Sequence, residues 1–370
     1  MKIIPRTENN MNCPEIPEIA YDSLSSALRN ESTLRYLPIS GNIELTAKCN
    51  LRCVHCYIRD TCTTNELSYE EICDILDQIA DAGCLWLLFT GGEPLVRKDF
   101  TDIYQYAKKK GFLLFILSNA TLITPDIADL FAEQPPFLLD VTMYGSSAET
   151  YEKMTGVPGS FEKFMNGIKL AVDRHLNLQL KTIPCTINVH EFVDMYRFAE
   201  SLGVKFRYDA KIHRKKDGSE EPLKYRLTPE EILELDLSVP ELAEMLSKEY
   251  TRMYGPPQKT DNLYICGAGK DSFFITCDGI LNTCTLSNVP GYDLRKGKFI
   301  DGFKLFPEAV NVKRTRESEC QTCPIINICG QCPPYCELEH GDPEQKIDFL
   351  CQLAQLRAKA FVKRDVTAFK

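Results

Sequence analysis

The hydrophobic residues from Ile43 onward alternate between short continuous apolar runs and longer segments with apolar residues at helical spacing. The apolar runs predict six strands, with the sequences NIEL, CLWLLFT, FLLFIL, FLLDVTM, LNLQLKTI and VKFRYDA. Helix-like segments such as SYEEICDILDQIADAG and SFEKFMNGIKLAVDRH separate them. This alternation is typical of a parallel sheet with helical crossovers. Since a closed barrel has eight such units, the pattern predicts an α/β fold, either a partial (β/α)6 TIM-type barrel or a doubly wound sheet.

The regular alternation stops after Ala210, where the charged segment KIHRKKDGSEEPLKYR follows. A helical stretch begins at Pro229 and is interrupted by YGPPQ at 254–258. The remainder is rich in glycine and cysteine and poor in long periodic segments, so its order must come from more than an apolar core. We therefore predict four regions: an N-terminal extension at 1–40, the partial barrel at 41–235, linker helices at 236–257 and a small cysteine-rich domain at 258–370.

The composition narrows the functional classes. A net charge of -9 argues against a broad nucleic-acid surface. No apolar stretch has the length of a membrane span, and the N-terminal MKIIPRTENN lacks the apolar region of a signal peptide. We therefore expect a cytoplasmic protein that binds neither nucleic acid nor membrane. The 17 cysteines then favour metal binding, because a reducing cytosol does not sustain a disulfide framework.

Three of the cysteines, Cys49, Cys53 and Cys56, form a C-x3-C-x2-C loop directly after the first predicted strand. That position is the carboxyl end of the sheet, where α/β folds have their active sites. Three thiolates suit a four-iron cluster with one free iron better than a structural zinc site, which takes four ligands. The next predicted strand ends in the sequence GGEP at 91–94, where glycines would let a ligand approach and the glutamate would accept a cation.

The cysteine loop and the GGEP segment together resemble the radical S-adenosylmethionine (SAM) superfamily. In that family the three-cysteine cluster binds SAM through its unique iron, and the Gly-Gly-Glu-Pro segment holds the SAM amino group. The resemblance implies an oxidoreductase mechanism in which the reduced cluster cleaves SAM to methionine and a 5'-deoxyadenosyl radical. That radical would abstract a hydrogen atom from a substrate held over the barrel mouth.

The resemblance also implies SAM contacts at the ends of the following strands. The backbone of the histidine before the third cysteine would face the adenine, and strands three and four would contact the ribose and methionine portions. A lysine on strand five would meet the SAM carboxylate, with a solvated strand lysine as the alternative interpretation. Many relatives carry an arginine for that carboxylate near MTGVPGSF, where this chain has Met154 and Thr155. The cofactor-binding residues implied in this way are His55, Gly91, Gly92, Glu93, Pro94, Ser118, Asn119, Thr142 and Lys181.

The C-terminal cysteines closely resemble the SPASM extension of radical SAM peptide-modifying enzymes. The resemblance implies two auxiliary four-iron clusters and therefore three [4Fe-4S] clusters in all. An outer set of ligands would comprise Cys320, Cys323, Cys329 and Cys351, and an inner set would comprise Cys266, Cys284 and Cys332. Two zinc sites are the alternative interpretation of paired C-x2-C motifs, and the upstream radical SAM signature weighs against it.

Two further cysteines near the inner set are expected to lie outside it. SFFITCDGILNTC predicts a hairpin that turns at Asp278 and Gly279, which puts Cys277 about 13 Å from Cys284 at the rise of a strand. Cys336 falls where relatives commonly have a small residue. The inner set would then leave one iron open. The remaining cysteines are expected to be ordinary thiols: Cys13, Cys62, Cys73, Cys84 and Cys185.

The motifs predict cofactors and fold more specifically than they predict a reaction. The leading hypothesis is a ribosomally synthesised precursor peptide that gains a crosslink or loses a fragment. Because residues 1–40 are short for a recognition module, either a separate leader-peptide-recognition protein or direct contact with the acidic barrel rim would capture the peptide. A flavodoxin or ferredoxin would donate electrons. The alternatives are sulfatase maturation, which Thr285 disfavours because maturases have an aspartate there, porphyrin side-chain modification, and a non-catalytic electron-transfer protein.

Overall fold

The structure is a computed structural model that describes residues 20–58, 65–257 and 260–362. Residues 1–19 of the predicted N-terminal extension, with Cys13, lie outside these residues, and so does Cys62. The described part of the extension forms helix α1 (Tyr21–Arg35). The ring of Tyr21 lies 5.1 Å from that of Phe137, and the guanidinium of Arg29 lies 5.0 Å from the ring of Trp86. Because these two partners precede or begin strands, α1 lies at the amino end of the sheet.

The six strands that the apolar runs predict are all present and parallel: β1 (Ser40–Thr46), β2 (Trp86–Gly91), β3 (Leu113–Ser118), β4 (Leu138–Thr142), β5 (Leu178–Thr182) and β6 (Lys205–Tyr208). They lie side by side in chain order, each paired in parallel with the next. A doubly wound sheet reverses its strand order, and this one does not. The architecture is therefore the partial (β/α)6 barrel.

The crossover helices are α2 (Tyr69–Asp81), α3 (Phe100–Lys109), α4 (Pro125–Glu133), α5 (Ala148–Thr155), α6 (Ser160–Asp173) and α7 (Phe192–Ser201). Local signals explain their boundaries. Ser68 and Glu71 form a capping box at the start of α2, and Pro125 follows the N-cap Thr124 of α4. The sequence pattern did not predict α5, whose eight residues are too few for a clear helical repeat.

Alternate residues along each strand face opposite sides of the sheet. Ile43 and Leu45 belong to the main hydrophobic core, which the crossover helices cover. Glu44, between them, therefore faces the concave side, which we call the lumen. By the same alternation Asp140 and Thr142 of β4 face the lumen, and all three polar residues are buried.

The cysteine-rich region continues the same sheet. Strand β7 (Ser272–Ile275) pairs in parallel with β1, and β8 (Ile280–Asn282) and β9 (Pro290–Asp293) follow in antiparallel pairing. The β7–β8 hairpin turns at Asp278 and Gly279 as predicted, and Gly279 has a φ of 90°. Because β7 runs parallel to β1, its carboxyl end lies at the same edge of the sheet as the cysteine loop.

The remaining helices are α8 (Pro229–Leu237), α9 (Pro240–Met253), α10 (Phe299–Phe303), α11 (Phe306–Val310), α12 (Ile326–Cys329), α13 (Pro333–His340) and α14 (Asp348–Phe361). Single 3-10 turns occur at Pro94–Val96, Val189–Glu191, Glu221–Tyr225 and Glu319–Gln321. Helix α14 packs on α8, where Arg357 donates to the buried Asp236 at 2.7 Å. Among the described helices, none combines the length and apolar composition needed to cross a membrane.

Candidate active site

The first set of cysteines, Cys49, Cys53 and Cys56, lies on the loop that leaves the carboxyl end of β1. Cys53 is buried, Cys56 is half-buried and Cys49 is exposed. Burial raises the pKa of the Cys53 thiol well above its usual range, and the neighbouring thiols of Cys56 and Cys49 add to the shift. Thiols that resist ionisation become thiolates beside a bound cation, as in a metal or iron–sulfur site.

Backbone hydrogen bonds from a neighbouring segment hold this loop in place. The N–H groups of Arg52 and Val54 donate to the carbonyl oxygens of Thr155 and Met154, at 2.8 and 3.0 Å. These are the two positions at which relatives were expected to carry an arginine. In this chain the segment supports the cysteine loop through its backbone, which any side chain permits.

The two glycines that end β2 lie against the backbone of the cysteine loop. A Cβ on Gly91 would lie 2.2 Å from the carbonyl oxygen of Thr46, and one on Gly92 would lie 2.2 Å from that of Lys48. The N–H groups of Gly92 and Glu93 donate to these same oxygens at 2.8 and 2.9 Å. The sequence predicted that the glycines admit a ligand, and the structure shows that they admit the cysteine loop. Contact with SAM at Gly91, Gly92 and the buried Pro94 stays a prediction.

Glu93 is buried, and its carboxylate is held by the end of β3. The hydroxyl of Ser118 donates to Oε1 at 2.9 Å, and the N–H of Asn119 donates to Oε2 at 2.7 Å. Burial raises the pKa of Glu93 to about 7, although these hydrogen bonds oppose the shift. The Asn119 amide also donates to the side chain of Asn50 on the cysteine loop at 3.0 Å. A buried carboxylate in this position suits a cationic ligand such as an ammonium group.

Lys181 of β5 faces the lumen and is close enough to Glu93 to lower the pKa of that carboxyl. Its ammonium lies 3.5 Å from the carboxylate of Asp140, which also binds Arg207 of β6. The other carboxylate oxygen of Asp140 is buried without a partner among the described residues. Thr142 is the cross-strand neighbour of Lys181. Sequence reasoning missed Asp140 and Arg207, although strand alternation places both on the lumen side.

His55 is buried beside the third cysteine, and burial lowers its pKa to about 4, so the ring is neutral at pH 7. Its ring lies 5.3 Å from that of Tyr144, which follows β4. The hydroxyl of Tyr144 lies close enough to the Cys53 thiol to oppose the rise in its pKa that burial causes. Tyr144, which sequence reasoning did not identify, therefore connects the cysteine loop to β4. Contact of His55 with the SAM adenine stays a prediction.

The inner set, Cys266, Cys284 and Cys332, is brought together by the segment before β7, the end of the β7–β8 hairpin and the start of α13. Burial, together with the charges of Cys284 and Cys266, raises the pKa of Cys332 to about 11. Tyr264 lies near all three thiols, whose charges raise its pKa in addition to burial. Residues 66 positions apart in the sequence are thus gathered at one place.

The outer set, Cys320, Cys323, Cys329 and Cys351, is also gathered in space. Burial raises the pKa of Cys329 to about 12, with further contributions from Cys351 and Cys320. The pKa of Cys351, on α14, is raised by burial and by the charges of Cys320 and Cys323. The structure therefore brings together the same ligand groups that the family resemblance implies. That each group holds a four-iron cluster stays a prediction.

The two cysteines expected outside the inner set lie in different places. Cys277 is buried beside β1, where its carbonyl accepts from the N–H of Leu67 at 2.8 Å. Cys336 is buried on α13 one turn after Cys332, and its thiol bonds to Gln331 at 3.4 Å. Their exclusion from metal binding stays a prediction. The other described cysteines are Cys84 and Cys185, which are buried, and Cys73, which is half-buried.

The donor chemistry of the three cysteine sets fits iron–sulfur clusters, which thiolates hold. In the described part of the chain, no three or more His, Cys, Asp or Glu side chains converge closely enough to hold one metal ion. A four-iron cluster is an extended body, and its ligands surround it without meeting at one point. Neighbouring thiols that influence one another's pKa without converging match that requirement.

Comparisons with known proteins agree with this geometry. The Radical SAM superfamily signature matches residues 43–199. An AdoMet-dependent heme synthase of Methanosarcina barkeri is 34% identical over 162 residues, which are 43% of this chain and 46% of that protein. The subtilosin biosynthesis protein AlbA of Bacillus subtilis is 28% identical over 47% of this chain and 39% of its own. The matched segment is therefore less than half of either relative.

A solved structure extends the likeness to the whole described fold. Streptococcus suis SuiB bound to its precursor peptide SuiA aligns with a TM-score of 0.69 over 93% of this chain and 84% of its own, at 16% identity. At that identity the match supports the fold, including the region after the barrel. The sequence match to the Radical SAM superfamily, a family of enzymes, runs from β1 to α7 and includes the cysteine loop and the GGEP segment.

Proposed function

We propose that this enzyme is a peptide maturase that acts on a ribosomally synthesised precursor peptide. When bound, a four-iron cluster on the first set and SAM supply a 5'-deoxyadenosyl radical that abstracts a hydrogen atom. The observation that carries the proposal is the gathering of the cysteines into three sets, one after β1 and two in the region that follows the barrel, in a fold shared with a structure that binds a precursor peptide. AlbA, a bacteriocin biosynthesis protein, supports the same substrate class.

Two charged side chains of this chain would bind the two ends of the SAM amino-acid group. Glu93, held by Ser118 and Asn119, would accept the SAM ammonium group. Lys181 would bind the SAM carboxylate, with Asp140 orienting its ammonium. These opposite charges, one after β2 and the other on β5, would orient the amino-acid end of SAM toward the first cysteine set.

The cofactor content is tested by replacing Cys49, Cys53 and Cys56 together with alanine. We expect the parent to bind about twelve irons after anaerobic reconstitution and the variant to keep about eight. The variant should form no 5'-deoxyadenosine from SAM. Zinc in the inner and outer sets after anaerobic preparation would contradict the auxiliary-cluster assignment.

The substrate is tested with small peptides encoded beside the gene, incubated with the reconstituted enzyme, SAM and a reductant. A mass change in such a peptide that depends on Cys284 supports the peptide assignment. SAM cleavage without any peptide modification would contradict it. Binding of the leader by the isolated chain would remove the need for a separate recognition protein, and a flavodoxin or ferredoxin would replace the chemical reductant.

Modification of a porphyrin side chain is the second candidate. The observation that favours it is the 34% identity to an AdoMet-dependent heme synthase, higher than the identity to AlbA. An iron porphyrin with propionate side chains, tested in the same assay, distinguishes the two candidates. Loss of propionate carboxyl groups would favour this function over peptide modification.

A further inference from the structure

Lys216 lies between the first and inner cysteine sets. It belongs to the charged loop after β6, which the sequence pattern indicated only as the end of the barrel. Its N–H donates to the carbonyl oxygen of Tyr57, the residue after Cys56, at 3.0 Å. Its ammonium lies 5.0 Å from the centroid of the Phe274 ring. The side chain is therefore anchored at the cysteine loop and extends toward β7.

Phe274 connects this ammonium with the inner set. The strand register pairs Phe274 with Asn282 of β8, two residues before Cys284. Cys284 follows Asn282 by two residues, about 7 Å at the rise of a strand. The ammonium at the Phe274 ring therefore lies within about a Debye length of Cys284, and its charge acts on whatever the thiol binds.

The lumen side of Lys216 faces Glu44 of β1. Burial raises the pKa of Glu44, while the charge of Lys216 and the N–H of Cys277 favour its ionised form. Asp278, at the hairpin turn, adds a second negative charge nearby. Glu44 and Lys216 form no direct ion pair among the described residues. Glu44 accepts a hydrogen bond from the backbone of Cys277, and the Lys216 ammonium lies at the Phe274 ring.

We propose that Lys216 raises the reduction potential of the iron–sulfur cluster held by Cys266, Cys284 and Cys332. This inference rests on the auxiliary clusters of the proposed function. Net charge near a cluster is one of the factors that set its potential. A fixed cation stabilises the reduced form, which carries one more negative charge, and Glu44 partly cancels that effect. Lys216 therefore favours electron uptake at the inner set.

A raised reduction potential at the inner set suits a reaction that oxidises the substrate. When a substrate radical closes a new bond to a heteroatom, one electron and one proton leave. A cluster held by Cys266, Cys284 and Cys332 would supply the acceptor for that electron, and water would take the proton. Lys216 acts only through its charge on the reduction potential and contacts no reacting atom.

The test uses the full chain in which Cys49, Cys53 and Cys56 are replaced by alanine, so that only auxiliary clusters remain. Potentiometric titration followed by electron paramagnetic resonance gives the potential of each cluster. Lys216→Gln should shift the reduction equilibrium of the inner cluster roughly tenfold toward the oxidised form, ~59 mV for one electron. Lys216→Arg should restore it, and the outer cluster should keep its potential.

Two matched variants separate charge from structural damage. Lys215→Gln removes the adjacent lysine, which binds Glu221 at 2.6 Å, and should leave the inner potential unchanged. Glu44→Gln should shift the potential in the opposite direction to Lys216→Gln. An unshifted potential in Lys216→Gln with eight irons bound, or an equal shift in Lys215→Gln, overturns the role of Lys216. A parent that binds no auxiliary iron overturns the proposed clusters and this inference together.

Discussion

The substitution Gly91→Ala probes how closely β2 approaches the cysteine loop. Gly91 has a φ of 138°, and an added Cβ would lie 2.2 Å from the carbonyl oxygen of Thr46. That atom belongs to the backbone, so relief requires the strand ends to separate. The hydrogen bonds of Gly92 to Thr46 and of Glu93 to Lys48, at 2.8 and 2.9 Å, cross the same contact.

Gly255 supplies a matched control for the backbone strain. Its φ is 144°, and an added Cβ would meet nothing within 4 Å. Both alanine variants carry a conformational cost of about 1–3 kcal/mol. Only Gly91→Ala adds an overpacking cost of about 1–3 kcal/mol and weakens two hydrogen bonds worth about 1 kcal/mol each. We therefore expect Gly91→Ala to be the less stable variant by about 3 kcal/mol.

Urea unfolding of the metal-free chain under reducing conditions, followed by circular dichroism, measures the difference between the two variants. Equilibrium dialysis of SAM with the reconstituted proteins measures the functional consequence, and only Gly91→Ala should lose binding. Equal losses of stability in the two variants would refute the close approach of Gly91 to Thr46. Unchanged SAM binding in Gly91→Ala would show that the Glu93 position survives the clash.

Three further predictions concern buried charges. Burial raises the pKa of Glu93 to about 7, so between pH 4.5 and 7 the unfolded chain releases this proton more readily than the folded chain. The parent should therefore lose about 3 kcal/mol of stability as the pH rises through that range. The urea midpoint of Glu93→Gln should not show this loss. Glu191 is the opposite case: although burial raises its pKa, hydrogen bonds such as that from Ser147 lower it to about 2, so its stabilisation is present above about pH 4.5 and lost toward pH 2. Glu191→Ala should show a weaker acid dependence of its urea midpoint, and an unchanged dependence would contradict this reasoning. Arg357→Ala leaves the buried Asp236 without its guanidinium and should cost about 3–5 kcal/mol in the same assay, most of which Asp236→Asn should recover in the double variant.

The elements that local sequence determines were predicted well. Six apolar runs gave the six parallel strands, because a buried parallel strand needs a continuous apolar segment and its flanking turns are local. The hairpin at Asp278 and Gly279 followed from a two-residue turn whose second position requires a positive φ. The three cysteine sets could be grouped from their spacing and the family resemblance.

Only the tertiary structure decided how these parts meet. The pairing of β7 with β1, which joins the cysteine-rich region to the barrel sheet, involves residues more than 200 positions apart. Local periodicity predicts a strand but carries no information about its neighbour. The same holds for Gly91, whose missing side chain accommodates Thr46, and for the contact of Asp140 with Lys181 and Arg207.

Charged residues were the hardest to interpret from sequence, since a lysine in a polar loop is most often solvated. Lys216 gains its position from the Tyr57 carbonyl and the Phe274 ring, which belong to segments far from it in the chain. Glu44 gains its burial from the hairpin that covers the end of β1. The sequence by itself predicted the strands, the hairpin and the candidate cysteine sets. Tertiary packing decided which charges lie beside them, because long-range electrostatics depends on distances that only the folded chain fixes.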